Sequence, residues 1–203
     1  SPFSLIHYRE AERVVLEWQR LGERAAEIRA LLPSEYDAAY YQLVDYAVQA
    51  SKNVYELRLA EFKNILYAAQ GRAATNDMAA VAEARFADDE AMSAYYNNEL
   101  SGGKWRGWQT QPKLGYGGPY PNSSWQQPEE NNQVLPDFIW PPLQRIEVPA
   151  GAELAVAIDG CDKYWPAEPT PAVLPVFSPF QTQPAQYIEV FNPTPGSAAL
   201  FNT

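Results

Sequence analysis

Cysteine and histidine are almost missing from this chain of 203 residues, with Cys161 and His7 their only representatives. A single cysteine excludes an internal disulfide, and the pair supplies too few nitrogen and sulfur ligands for structural zinc. Cys161 also lacks a neighbouring base in sequence, since His7 sits far away at the start of a helical stretch, so it makes a poor nucleophile. Long apolar runs are absent too; nothing approaches the roughly 18 residues of a membrane span. Basic residues are scarce, 15 Lys and Arg against 25 Asp and Glu, for a net charge of −10. That balance argues against nucleic acid as a partner, because phosphate neutralisation needs a basic surface. No stretch reads as a signal peptide, and Ser1-Pro2-Phe3 is expected to open a mature or internal piece.

Proline is missing from one half and crowded into the other. Of 18 prolines, only Pro2 and Pro33 precede Pro112. Five of the six tryptophans (Trp105, Trp108, Trp125, Trp140 and Trp165) fall within 105–165. Proline in a helix interior removes a hydrogen bond and clashes with the preceding turn. The first half can therefore be helical and the second cannot.

In the first half Tyr8, Ala11, Val14, Val15, Trp18, Leu21, Ala25, Ile28 and Leu32 recur every three or four residues, as on an amphipathic helix. Pro33 stops this helix, and Ser34 is expected to cap the next, with Asp37 completing a weak capping box. The second helix carries Tyr36, Tyr40, Leu43, Val44, Val48, Tyr55, Leu59, Phe62 and Leu66, and Gly71 is its expected stop. Asn76 or Asp77 would open a third helix, and Asp88 or Asp89 a fourth that ends at Gly102-Gly103. Short turns between such helices predict an antiparallel bundle.

From Trp105 to Pro142 no period holds, and glycine and proline interrupt the chain too often for a regular element. So many aromatics suit a segment wrapped over a neighbour better than a free linker. Beyond it, 144–148, 153–158 and 186–191 alternate as strands. Three strands fall short of the seven or so of a sandwich. The sequence thus predicts an α+β chain: an antiparallel helical bundle over 1–104, an aromatic Pro/Gly-rich connector over 105–142, and an incomplete antiparallel β-sandwich over 143–203.

Several stretches resemble glycoside hydrolase family 115, the xylan α-1,2-glucuronidases. They begin at Ser4-Leu5-Ile6-His7-Tyr8-Arg9-Glu10-Ala11-Glu12-Arg13 and continue through Tyr41-Gln42-Leu43-Val44 and Gln49-Ala50-Ser51-Lys52-Asn53-Val54-Tyr55-Glu56-Leu57. The likeness is sharpest at Ala69-Gln70-Gly71-Arg72-Ala73 and Gly102-Gly103-Lys104-Trp105. Trp125-Gln126-Gln127-Pro128, Val156-Ala157-Ile158-Asp159-Gly160, Leu174-Pro175-Val176-Phe177-Ser178-Pro179-Phe180 and Tyr187-Ile188-Glu189-Val190-Phe191-Asn192 follow in the family's order. The resemblance implies a secreted enzyme with an α/β domain, a catalytic barrel, a helical bundle and a C-terminal β-sandwich, of which this chain is similar to the last two. It implies removal of (4-O-methyl)glucuronic acid from xylan with inversion, by two carboxylates set apart around a water. Those belong to the barrel, so no catalytic residue, metal or cofactor is assigned here. The implied partners are the barrel of the same enzyme, xylan, and a second copy of the chain as a homodimer. The sequence departs from the family over Gly107–Tyr116 and by an insertion around Gly117–Ser124.

Trp105, Trp108, Tyr116 and Trp125 carry the one candidate carbohydrate surface, since their ring faces stack on sugars. The competing reading packs them against the chain's own domains. On the first reading alone, the chain would be a free-standing carbohydrate-binding module. Asn122 opens an Asn-Ser-Ser sequon and is the candidate glycosylation site. Tyr36, Tyr40, Tyr41, Tyr46 and Tyr55 read as core or interface wall. Asp88-Asp89-Glu90 reads as a solvated helix start. Glu129-Glu130 point apart as neighbours, and Gly115-Tyr116-Gly117-Gly118 lacks the flanking strand and helix of a phosphate loop.

Overall fold

The computed structural model describes residues 3–109, 139, 141–147, 151–181 and 183–193. Tyr116, Asn122, Trp125 and Glu129-Glu130 lie outside the described residues. The chain is mixed helix and sheet, with three long helices and a two-stranded antiparallel sheet.

Helix α1 spans Glu10–Leu31, ending ahead of Pro33 as expected. The chain then re-enters helical geometry through a 3-10 turn at Ser34–Tyr36, a short α-helical turn at Asp37–Tyr40 and a π turn at Tyr41–Asp45. Helix α2 follows without a break over Tyr46–Ala69. The expected Ser34 cap is not made. Pro33 holds the cap position, no side chain caps the turn, and Asp37 turns to the Arg29 guanidinium at 2.7 and 2.9 Å instead. A charge-assisted bidentate pair outcompetes a neutral capping bond.

Gly71 stops α2 as predicted. It takes φ +61°, while its N–H reaches the Ala68 carbonyl and the Arg72 N–H reaches back to Tyr67. These two bonds form the Schellman ending, whose left-handed residue favours glycine. Helix α3 then runs Thr75–Asn98 as one element, so the separate third and fourth helices are a correction. Asp88 and Asp89 lie in mid-helix, and Asp89 is only 2% exposed. Their likeness to a cap came from residue type alone; the intervening Ala-rich sequence supports helix on both sides.

Strand β1, Ala155–Ile158, pairs with β2, Ile188–Phe191, Val156 lying opposite Val190. Two of the three expected strands are therefore present. The third, 144–148, is a correction: residues 144–147 make no ladder with a strand. Asn64 and Asn76 satisfy them instead. The Asn64 side chain donates to the Gln144 carbonyl and accepts the Gln144 N–H, at 2.8 and 2.7 Å. Asn76 repeats this on Ile146 at 3.0 and 3.1 Å. Each amide imitates the peptide group of a neighbouring strand.

Contacts divide the chain into two compact units that cut across sequence order. Unit 1 is Ser1–Val14, Leu59–Ala80 and Gln144–Thr203; unit 2 is Val15–Arg58 and Val81–Leu143. Unit 1 buries small side chains (Ala11, Ala60, Ala79, Ala155, Ala157) beside polar Glu61, Asn64, Gln70, Arg72 and Asp159. Unit 2 buries Tyr41, Leu57, Tyr96 and Leu100 together with the smaller Val15, Ala25 and Ala82. Tyr41 meets Tyr95 edge-on at 4.9 Å between ring centres, and Tyr46 lies 4.7 Å from Tyr96. Among the described residues no helix is long and apolar enough to cross a membrane.

Candidate functional site

Of the four aromatic residues offered as a sugar surface, Trp105 and Trp108 are described. Trp105 packs against the Tyr41, Tyr96 and Leu100 cluster, with the Lys104 ammonium 4.8 Å from its ring centre. Trp108 stands edge-on to Trp105 at 5.4 Å and is 65% exposed. The pair thus divides, one ring anchoring the segment and the other facing solvent. Asn97 fixes the chain after Trp108, accepting the Gln109 N–H at 2.9 Å and donating to its carbonyl at 2.8 Å.

The tyrosines reach unequal ends. Tyr41 is buried, Tyr40 donates its hydroxyl to the Ala25 carbonyl, and Tyr55 stacks on Trp18 at 5.2 Å. Tyr36 departs from the expected core role and is exposed.

A cleft that the sequence did not announce lies in unit 2, with a volume of about 360 Å³. Arg29 of α1, Tyr41 and Asp45 of the π turn, Gln49, Lys52 and Asn53 of α2, and Arg85, Asp88, Ala91 and Met92 of α3 line it. The π turn puts Tyr41 and Asp45 there, because one extra residue in the turn lets the Tyr46 N–H reach back to Tyr41. Such widened turns recur at functional sites. Arg29 spans Asp37 and Asp45, reaching the latter at 3.0 Å, and lies over the Tyr41 ring at 4.8 Å. Its hydrogen bond to Asp37 is the largest influence raising the Arg29 pKa, and the same bond lowers that of Asp37. Burial, then the Asp45 charge, pushes the Tyr41 phenol up to about 12. Arg85 bridges Glu56 at 3.1 Å and Asp88 at 2.9 Å. This is where the Asp88 carboxylate goes, in place of a helix start.

Unit 1 holds a second polar cluster. The Arg72 guanidinium is sandwiched between the rings of Tyr67 and Phe191, at 4.3 and 4.0 Å from their centres. In its plane it donates to the Gln70 side-chain oxygen at 2.6 Å and to Glu189 at 2.9 Å. Gln70 in turn donates to the Asp162 carbonyl. Near it, Asp159 accepts the Tyr8 N–H at 2.8 Å and Lys63 pairs with Glu12 at 2.8 Å. Burial foremost, then the Asp159 carboxylate, raises the Tyr187 phenol well above its ordinary range. This arrangement ties Gly71-Arg72 to strand β2, and rings cover both faces of the buried guanidinium, which leaves it no open face for a ligand.

No protein-family model matches the chain, and no curated protein matches it significantly.

Proposed function

We propose that the chain is an accessory region of a secreted xylan α-1,2-glucuronidase, comprising its helical bundle and the first strands of its β-sandwich. On this reading the parent enzyme removes (4-O-methyl)glucuronic acid from xylan by inversion, with its two carboxylates in a barrel outside these 203 residues. The ordered family-like stretches motivate the assignment. One structural observation supports the unfinished sandwich: one face of the sheet is wholly apolar and only partly covered. Phe191, Ala155, Ala157 and the charged Glu189 point to the side of Arg72, while Leu154, Val156, Ile158, Ile188 and Val190 share the other side. There Ile188 is 55% and Val190 50% exposed, and Val176 and Phe180 are more than nine-tenths exposed in the segment before β2. An apolar sheet face left partly exposed suits a sheet that packs against a second one. The second sheet of a sandwich would cover this one.

The test is release of methyl-glucuronic acid from glucuronoxylan by this chain alone. No release is expected; substantial release would overturn the reading. The exposed Trp108 supports a second reading, the free-standing carbohydrate-binding module. That reading expects retention on insoluble xylan, lost in Trp108→Ala and Trp125→Ala. Absence of retention would dismiss it.

A further inference from the structure

Among the described residues, the charges lining the unit 2 cleft are spent, with one exception. Arg29 is taken by Asp37 and Asp45, and Arg85 by Glu56 and Asp88. Lys52 has no carboxylate within 4.0 Å among the described residues; its ammonium meets only the Gln49 amide oxygen, at 3.5 Å. Its stem is nonetheless held in place. It crosses α1 at Gly22, where a Cβ would stand 2.7 Å from the Lys52 Cδ. Gln49 beside it is pinned, donating to the Gly22 carbonyl at 2.9 Å and to Asp45 at 3.1 Å.

We propose that this cleft binds a small polyhydroxylated monocarboxylate, with Lys52 taking its carboxylate. Asp45 and Asp88 keep acceptor lone pairs beyond their ion pairs and would receive its hydroxyls; the Gln49 and Asn53 amides flank the same space. A compact ammonium acts as one point charge and answers one negative charge. A phosphate dianion would face Asp45 and Asp88 with no second unspent cation among the described residues to offset them. A volume of about 360 Å³ lies at the small end of ligand sites, the size of one sugar-like unit and not of a chain. The polar groups are fixed before a ligand arrives, which lowers the ordering cost of binding.

The experiment titrates the whole chain at low ionic strength with gluconate, with sorbitol (the same hydroxylated chain without the carboxylate) and with inorganic phosphate. Backbone amide NMR shifts report the site. Gluconate should saturate shifts around Lys52, Asp45 and Asp88, and sorbitol and phosphate should bind at least about tenfold more weakly. Lys52→Gln should weaken gluconate by about tenfold or more at unchanged melting temperature. Gly22→Ala favours helix yet displaces the Lys52 stem, so it should weaken gluconate without lowering stability. Three results would each overturn the proposal: no saturation by gluconate, equal or tighter binding of sorbitol or phosphate, or full affinity in Lys52→Gln.

Discussion

Arg72 in unit 1 and Arg29 in unit 2 each lie over an aromatic ring and pair with carboxylate, but in different media. The Arg72 side chain is 5% exposed, covered by a ring on both faces, and its partner Glu189 is 23% exposed. Arg29 is 29% exposed, one face on Tyr41, and its bidentate partner Asp37 is 44% exposed. Water can recover Asp37 if Arg29 is removed, but only part of Glu189, and hardly the buried Gln70, if Arg72 is. The difference shows that a similar set of partners can serve as an internal strut or as the wall of an accessible cleft. Solvent access decides which.

The comparison breaks most directly by deleting each charge. Arg72→Met should destabilise the chain by about 3–5 kcal/mol, because it leaves the buried Gln70 oxygen unpaired and Glu189 with only the longer contact to Arg9 at 3.8 Å. Arg29→Met should cost less, about 1–3 kcal/mol, since Asp37 can rehydrate and only Asp45 is left buried. Urea unfolding of both variants checks the order, and equal losses would show that exposure does not separate the two.

The next largest effect concerns the side-chain amides. Asn64→Ala and Asn76→Ala should each cost about 1–3 kcal/mol by removing the bonds to one backbone N–H and one carbonyl of the gripped residue, and Asn64→Ala also loses the bond to the Thr75 carbonyl. Hydrogen exchange should then accelerate at Gln144 in the first variant and at Ile146 in the second. Unchanged exchange would mean that the segment is held by other means.

The smallest effect is one of pH. The Tyr41 phenol is raised from an ordinary value of 10 to about 12, and Tyr187 is raised as well. The unfolded chain therefore ionises first. Their contribution is fully present below about pH 10 and lost as pH climbs through the folded values. Guanidinium midpoints followed from about pH 9 to about pH 12 should fall, and Tyr41→Phe should flatten part of that fall. An unaltered slope would place the alkaline sensitivity in unit 1.

How much of this was legible follows the range of each signal. Local signals read well: the spacing from Ala11 to Ile28, the stop at Pro33 and the glycine at 71 all act within one turn. Helix α3 was misread at Asp88 because capping residues and mid-helix ion-pair residues are the same types, and only the position of Arg85 separates them. The strand pattern at Gln144-Arg145-Ile146 did indicate extended chain. It carried nothing about a partner, which proved to be two asparagines far earlier in sequence. The cleft was hidden for a similar reason. Lys52 and Gly22 are unremarkable apart, and their significance lies in the contact across α1 and α2.

The asparagine pairs carry a further consequence. Asn64, Asn76 and Asn97 grip the main chain at Gln144, Ile146 and Gln109, and apart from proline, which has no N–H to give, a peptide group is the same whatever side chain it bears. At these three points the gripped residue can therefore change freely under mutation, while the gripping asparagine cannot. Length is a different matter. One residue inserted between 144 and 146 would leave the second clamp holding the wrong peptide group and turn the intervening side chains to the opposite face. Over evolutionary time this segment should drift in sequence and stay fixed in length, the reverse of what surface connections usually do.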